Sequence, residues 1–166
     1  MASGDSLVVL KPAMAEFPAS NYPTFDTRNT VLLLDYDDTT DETCYFRCIM
    51  PRHYDGGGVT VSVRWAATSA TSGTISLDVA FASISDDADD IDTKSFAAAN
   101  NANPTAASAS GEVDYIDITF TDGADMDSVA AGEEFWLSVT RDANGTTSTD
   151  NMTGDMELVG IEIKET

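Results

Sequence analysis

The chain has 166 residues, 42% of them apolar, with 8 Lys and Arg against 29 Asp and Glu for a formal net charge of −21. A field of that sign repels nucleic-acid phosphates and anionic lipid surfaces, so DNA-binding, RNA-binding and membrane-surface roles are excluded from expectation; solubility, a basic partner or a saline habitat remain. One domain of this length buries roughly 70% of its unfolded surface and needs neither disulfide nor metal to be stable.

The opening MASGDSLVVLKP has a short apolar run with no basic stretch before it, so no signal peptide is expected. No segment approaches the ~18 apolar residues of a membrane helix. SLVVL is a candidate strand. LKPAMAEFPASNYPTFDTRN then sets Pro12, Pro18 and Pro23 among Phe17, Tyr22 and Phe25. Proline blocks helix and central strand, so residues 1–24 are predicted as an extended arm ahead of one domain at 25–166. The arm's aromatics need a surface, either the domain itself or a neighbouring chain.

TVLLLDY and TCYFRCIM are candidate strands with apolar residues on both parities, expected to be covered on both faces. In an extended TCYFRCIM, Cys44 and Cys48 would lie on one face about 13 Å apart at ~3.3 Å per residue. A disulfide needs Cα atoms within about 7 Å, so both read as small packed side chains. PRHYDGGG follows, with the chain's only histidine and its only run of three glycines.

Strict alternation marks the remaining strands. Val59, Val61, Val63 and Trp65 share one side of VTVSVRWA, and Ile75, Leu77, Val79 and Phe81 one side of TISLDVAF. DYIDITF repeats the pattern through Ile116, Ile118 and Phe120. EEFWLSVT does so through Phe135, Leu137 and Val139, with Trp136 on the outward side. ELVGIEI places Val159, Ile161 and Ile163 together. Between these, residues 83–111 read as a long solvated loop, with one or two helical turns expected in DIDTKSFAAAN. About eight strands with little helix predict an all-β fold, a jelly-roll-like antiparallel β-sandwich.

Tests for chemistry return no catalytic set. His53 has no nucleophile and orienting carboxylate set beside it in any recognisable motif. Zinc would need several His or Cys ligands at close spacing, and neither CxxC nor HxxxH occurs. Gly56, Gly57 and Gly58 precede a strand and no lysine follows, so they read as a sharp bend and not a phosphate loop. Asp86, Asp87, Asp89, Asp90 and Asp92 are dense in hard oxygen ligands and form a weak calcium candidate, without matching the EF-hand spacing. No cofactor, no resident metal and no enzyme activity are expected. Exposed aromatics, Trp136 foremost and Tyr22 or Tyr54 beside it, could form a sugar platform or a protein contact.

Several strings carry a family resemblance: FDTRN at 25–29, MPRHYDGGGVTVSVRWAATSATSG at 50–73, FTDGADMDSVAAGEEFWLSVTRDA at 120–143 and MTGDMELVGIEI at 152–163. They resemble a family of small virion proteins of tailed bacteriophages. The resemblance implies a jelly-roll-like capsid cement or decoration protein, made in a bacterial host cytoplasm. Such a protein would form a homotrimer on the outer head and contact the major capsid protein or another virion protein. Phe17, Tyr22, Phe25, Arg52, His53, Tyr54 and Trp136 are then expected as partner contacts. A tail or fibre subunit, or a host-glycan-binding module on a similar sandwich, is the alternative.

Overall fold

The structure, a computed structural model, describes residues 4–166. Ten strands form: β1 (Ser6–Leu10), β2 (Thr24–Arg28), β3 (Val31–Tyr36), β4 (Glu42–Ile49), β5 (Val59–Ala67), β6 (Leu77–Ile84), β7 (Asn100–Ala102), β8 (Asp114–Phe120), β9 (Glu134–Arg141) and β10 (Met156–Glu165). From β3 onward successive strands alternate between two antiparallel sheets, except that β6 and β7 are paired neighbours in one of them. One runs β2-β3-β10-β5-β8 with β1 also on β10, the other β4-β9-β6-β7. The orders 3-10-5-8 and 4-9-6-7 are those of a jelly roll, with β1 and β2 added to the first sheet.

The alternating strands place their apolar sets as expected. Val59, Val61, Val63 and Trp65 face Ile75, Leu77, Val79, Phe81, Phe135, Leu137 and Val139 across one buried core. Phe81 meets Phe120 edge-on, with ring centroids 4.9 Å apart. In β10 the alternation breaks. The register against β5 shifts between Leu158 and Gly160, so Val159 is an extra residue, a bulge. Leu158 and Ile161 both reach the core, and Val159 is turned away from Ile161 and Ile163, with which strict alternation had grouped it.

Two strands were not expected. β2 pairs with β3 as a hairpin. β7 forms inside the Ala/Asn-rich stretch, against Leu77–Val79 of β6. The side chains of Asn101 and Asn103 donate there to the Leu77 and Ile75 carbonyls, an interaction that composition alone does not reveal. The segment expected as an arm is tied into both sheets. β1 pairs with the end of β10, and Gly4 N–H donates to the Glu165 carbonyl at 2.8 Å. Glu16 and Tyr45 then exchange backbone hydrogen bonds of 2.8 Å, which fastens this segment to the open edge of β4. The predicted glycine bend holds: Gly56 has φ +80°, and a Cβ on Gly58 would stand 2.6 Å from the Phe120 carbonyl oxygen. Cys44 and Cys48 are free thiols on β4.

One buried cation closes the sandwich at the end of β9. Arg141 is fully buried and forms a two-pronged pair with Asp150, 2.9 Å from Nε to Oδ2 and 2.9 Å from Nη2 to Oδ1. Its remaining N–H groups donate to the carbonyls of Gly154 (3.0 Å), Met152 (3.1 Å) and Tyr36 (3.3 Å). All five guanidinium donors are thereby used. Breaking such a pair leaves an uncompensated charge in the interior. Arg141→Met is expected to cost about 3–5 kcal/mol, read as a lowered urea midpoint; an unchanged midpoint would contradict this.

Glu157 of β10 is the counter-example, a carboxylate only 2% exposed whose nearest cation, Arg28 Nε, is 3.4 Å away. Burial pushes its carboxyl above the usual carboxylate range, Arg28 draws it partly back, and Asp35 pushes it up again. The folded chain therefore holds this proton more tightly than the unfolded chain. The site's contribution to stability is complete below the unfolded value of about 4.3 and declines as pH rises through the raised folded value. Glu157→Gln should raise the melting temperature at pH 7 and leave it unchanged near pH 4. Equal melting temperatures at pH 7 would refute the reading.

Candidate functional site

The outward face of the four-stranded sheet carries a groove. Register places Arg47, Trp136 and Ala82 in one row across β4, β9 and β6, and Tyr45, Ser138 and Ala80 in the next. The two alanines leave room on the β6 side for chain to pack over them, while Tyr45, Arg47 and Trp136 line the groove from β4 and β9. A loop at residues 85–99 folds back over this hollow and is pinned by Ala97 N–H on the Phe81 carbonyl at 2.8 Å. Ala80 and Ala82 are buried beneath it although their parity points outward.

Phe96 of this loop completes an aromatic surface. Its ring stacks on Tyr45 with centroids 5.5 Å apart and planes 13° from parallel, and lies 6.4 Å from Trp136 at 49°. All three rings are half-buried. The resulting groove measures about 420 Å³, and its polar rim is Glu16, Arg47 and Asp92. Arg47 Nε pairs with Glu16 Oε1 at 2.7 Å, and Trp136 Nε1 donates to Glu134 Oε1 at 2.9 Å. The bond it donates to Glu16 holds the Arg47 guanidinium above its ordinary value, so it is a permanent cation at the rim.

The expected site residues fall in different places. Trp136 lies in this groove. Phe17, Tyr22 and Phe25 cluster together instead, with Phe17 5.3 Å from Tyr22 and 5.4 Å from Phe25. Arg52 and His53 are exposed in the β4–β5 loop. Tyr54 is buried, its hydroxyl donating to the Gly57 carbonyl and lying 3.9 Å from Met126 Sδ, so it braces the glycine bend from inside.

The calcium candidates do not converge. Asp89 is taken by Lys94 (2.8 Å) and by Ser85 N–H (2.8 Å), Asp90 by Asp92 N–H (3.0 Å), and Asp86 and Asp87 are exposed. Among the described residues three carboxylates do approach within 4.8 Å elsewhere, at Asp37, Asp38 and Asp155. Two of them already serve loop backbone, Asp37 accepting from Thr39 and Thr40 N–H and Asp38 from Gly154 N–H. These are loop-closing acceptors, and no ion is assigned to them.

Tyr45, Phe96, Arg47 and Glu16 were not singled out from the sequence. Tyr45 and Arg47 alternate with Cys44, Phe46 and Cys48, a parity that the small apolar cysteines blur. Phe96 sits in a stretch without periodicity.

The sequence matches no protein-family model and no curated protein. Solved structures match its fold. The CBM22-1–GH10 modules of an endo-1,4-β-D-xylanase from Clostridium thermocellum, complexed with xylohexaose, align at TM-score 0.56 and 13% identity. That alignment covers 98% of this chain and 29% of the xylanase chain. A xylan-binding domain from Paenibacillus barcinonensis aligns at TM-score 0.55 and 11% identity over 97% of this chain and all of its own. A module from Clostridium stercorarium in complex with cellobiose aligns at TM-score 0.52 and 8% identity over 99% and 98%. At these identities the likeness establishes the β-sandwich fold.

Lys94 fastens the loop that carries Phe96, reaching Asp89 at 2.8 Å and Asp127 at 2.9 Å. Partly exposed pairs of this kind are worth about 1 kcal/mol or less. Lys94→Met should therefore speed amide hydrogen exchange across residues 85–97 while leaving the global melting temperature within about 2 °C. Unchanged exchange in that window would show that the loop is held by other contacts.

Proposed function

We propose that this chain is a non-catalytic glycan-binding module whose binding face is the outer surface of the four-stranded sheet. The observation that carries this is the Tyr45–Phe96–Trp136 surface, set in a groove rimmed by Glu16, Arg47 and Asp92. Pyranose rings present flat C–H faces and equatorial hydroxyls. The aromatic rings offer apolar planes for the first, and fixed carboxylate and guanidinium groups offer hydrogen bonds for the second. Because Trp136 and Tyr45 stand on a rigid sheet, little ordering accompanies binding. The acidic rim and the overall charge of −21 favour neutral over anionic saccharides. The fold shared with the xylan-binding domain and the cellobiose-bound module supports the reading.

A second reading rests on another surface. Tyr22 (41% exposed), Phe25 (50%) and Leu32 (37%) stand out around the β2–β3 hairpin, and β2 is an open sheet edge. Such a patch supports docking in a virion, as the homotrimeric capsid decoration that the phage resemblance implies. Light scattering after size exclusion tests it: a species of three times 17.6 kDa agrees, and a monomer at micromolar concentration counts against it.

For the glycan reading, affinity electrophoresis against soluble neutral polysaccharides, followed by calorimetry with oligosaccharides, is the direct measurement. Trp136→Ala and Tyr45→Ala are each expected to weaken binding at least about tenfold, or ~1.4 kcal/mol. Both rings are half-buried against Phe96, so a melting curve for each variant checks that the fold is retained when binding is measured. Absence of binding to any neutral glycan, or full binding by Trp136→Ala, would overturn the proposal.

A further inference from the structure

The opposite side of the sandwich holds a second cavity, on the outer face of the six-stranded sheet. It measures about 310 Å³ and is walled by Val31, Leu33, Ala66, Val113 and Val159. The β10 bulge contributes one wall directly, because the extra residue turns Val159 onto this face. Val31 and Val113 at the rim are 48% and 46% exposed.

Glu157 lies in this apolar enclosure. Its register partners across the face are Asp35 on β3 and Ala66 on β5. Its Oε2 is buried and accepts no hydrogen bond among the described residues. Arg28 also lines the cavity, 3.4 Å from this oxygen through Nε, while its Nη2 is committed to the Thr68 carbonyl at 2.6 Å. Asp35 lies on the same face, and so does Asp26, opposite Leu33. Three carboxylates thus stand beside Arg28 at this end of the face, while Arg64 and Lys164 further along it are paired with Glu162 and Asp117. A carboxylate taken out of water without a hydrogen bond is costly to keep, and a bound donor would relieve that cost.

We propose that this cavity is a binding site for a lysine side chain of a basic partner protein, with Glu157 as its counter-ion. The chemistry fits at both ends. An ammonium supplies compact, directional donors for the open Oε2 lone pairs. Its methylene stem would lie along Val31, Leu33, Val113 and Val159. The surrounding charge steers a basic partner towards the site and repels a second acidic copy of this chain. The site lies on the sheet opposite the aromatic groove, so it stands or falls separately from glycan binding.

The test follows the valine and leucine methyl signals of the full-length protein by NMR. The probes are Nα-acetyl-lysine N-methylamide and its neutral isostere Nα-acetyl-norleucine N-methylamide. The lysine probe should shift the Val31, Leu33, Val113 and Val159 methyls saturably, and the norleucine probe should not. Glu157→Gln should weaken the lysine probe at least about tenfold, as expected for losing a hydrogen bond to a charged group. Val113→Thr at the exposed rim should weaken it severalfold and serves as the check if Glu157→Gln perturbs the fold. Equal shifts from both probes, no shift, or undiminished binding by Glu157→Gln would overturn the proposal. Tighter binding of 1,5-diaminopentane than of the lysine probe would overturn the protein-lysine source in favour of a free amine. Concentration-dependent shifts of the same methyls without probe would overturn it in favour of self-association.

Discussion

Arg141 is the constraint around which this sandwich closes. A jelly roll has two sheets whose strands are joined by long crossovers, and the mouth between them must be sealed without stranding polar backbone. Here the last residue of β9 reaches across to the carbonyl at the end of β3 and to the loop that leads into β10. One side chain thereby satisfies three backbone acceptors and one carboxylate. The next residue does related work with a negative charge. Burial alone would raise the Asp142 carboxyl, but hydrogen bonds from Thr147 and Thr146 outweigh it and hold the group below its ordinary value. Consecutive residues of opposite sign therefore fold the 142–155 loop back onto the sandwich end. The apolar core supplies the bulk of the driving force, and this ionic knot decides where the crossover lies.

That closure leaves the two outer faces free to differ. The four-stranded sheet carries outward-facing aromatics rimmed by charged residues. The six-stranded sheet carries an apolar hollow with a carboxylate at its base. Each feature breaks a local rule of strand patterning. Aromatics stand on the polar parity of β4 and β9, alanines lie buried on the polar parity of β6, and Glu157 is buried on β10. Such departures from the stability pattern are where function is expected to reside.

The fold was largely legible because period-two alternation is a direct image of a half-buried strand. β5, β6, β8 and β9 could be read residue by residue, and the outward place of Trp136 followed from the parity of Phe135 and Leu137. What could not be read depends on contacts distant in sequence. β7 forms because asparagine amides find carbonyls on β6, and an Ala/Asn-rich string carries no such signal. Phe96 joins Tyr45 only because the intervening chain folds back over Ala80 and Ala82. Strict alternation misplaced Val159, since one inserted residue reverses every side chain beyond it. The N-terminal segment reads as an extended arm because its prolines exclude regular strand over most of its length, and composition leaves open which surface it covers. Pairing of β1 with β10 and the bridge at Glu16 attach it to both sheets.

The pairing of β1 with the end of β10 has a mechanical meaning. Residue 4 and residue 165 are hydrogen-bonded neighbours, and the two strands run away from that point in opposite chain directions. Tension applied across these two positions would load the β1–β10 hydrogen bonds one after another, as in opening a zipper, and not all at once in shear. The first strand would peel at low force while the ionic knot at Arg141, on the far side of the topology, stayed intact. Joined to other chains through these two points, the domain would behave as a soft element in series, yielding first at β1 before the aromatic face is disturbed.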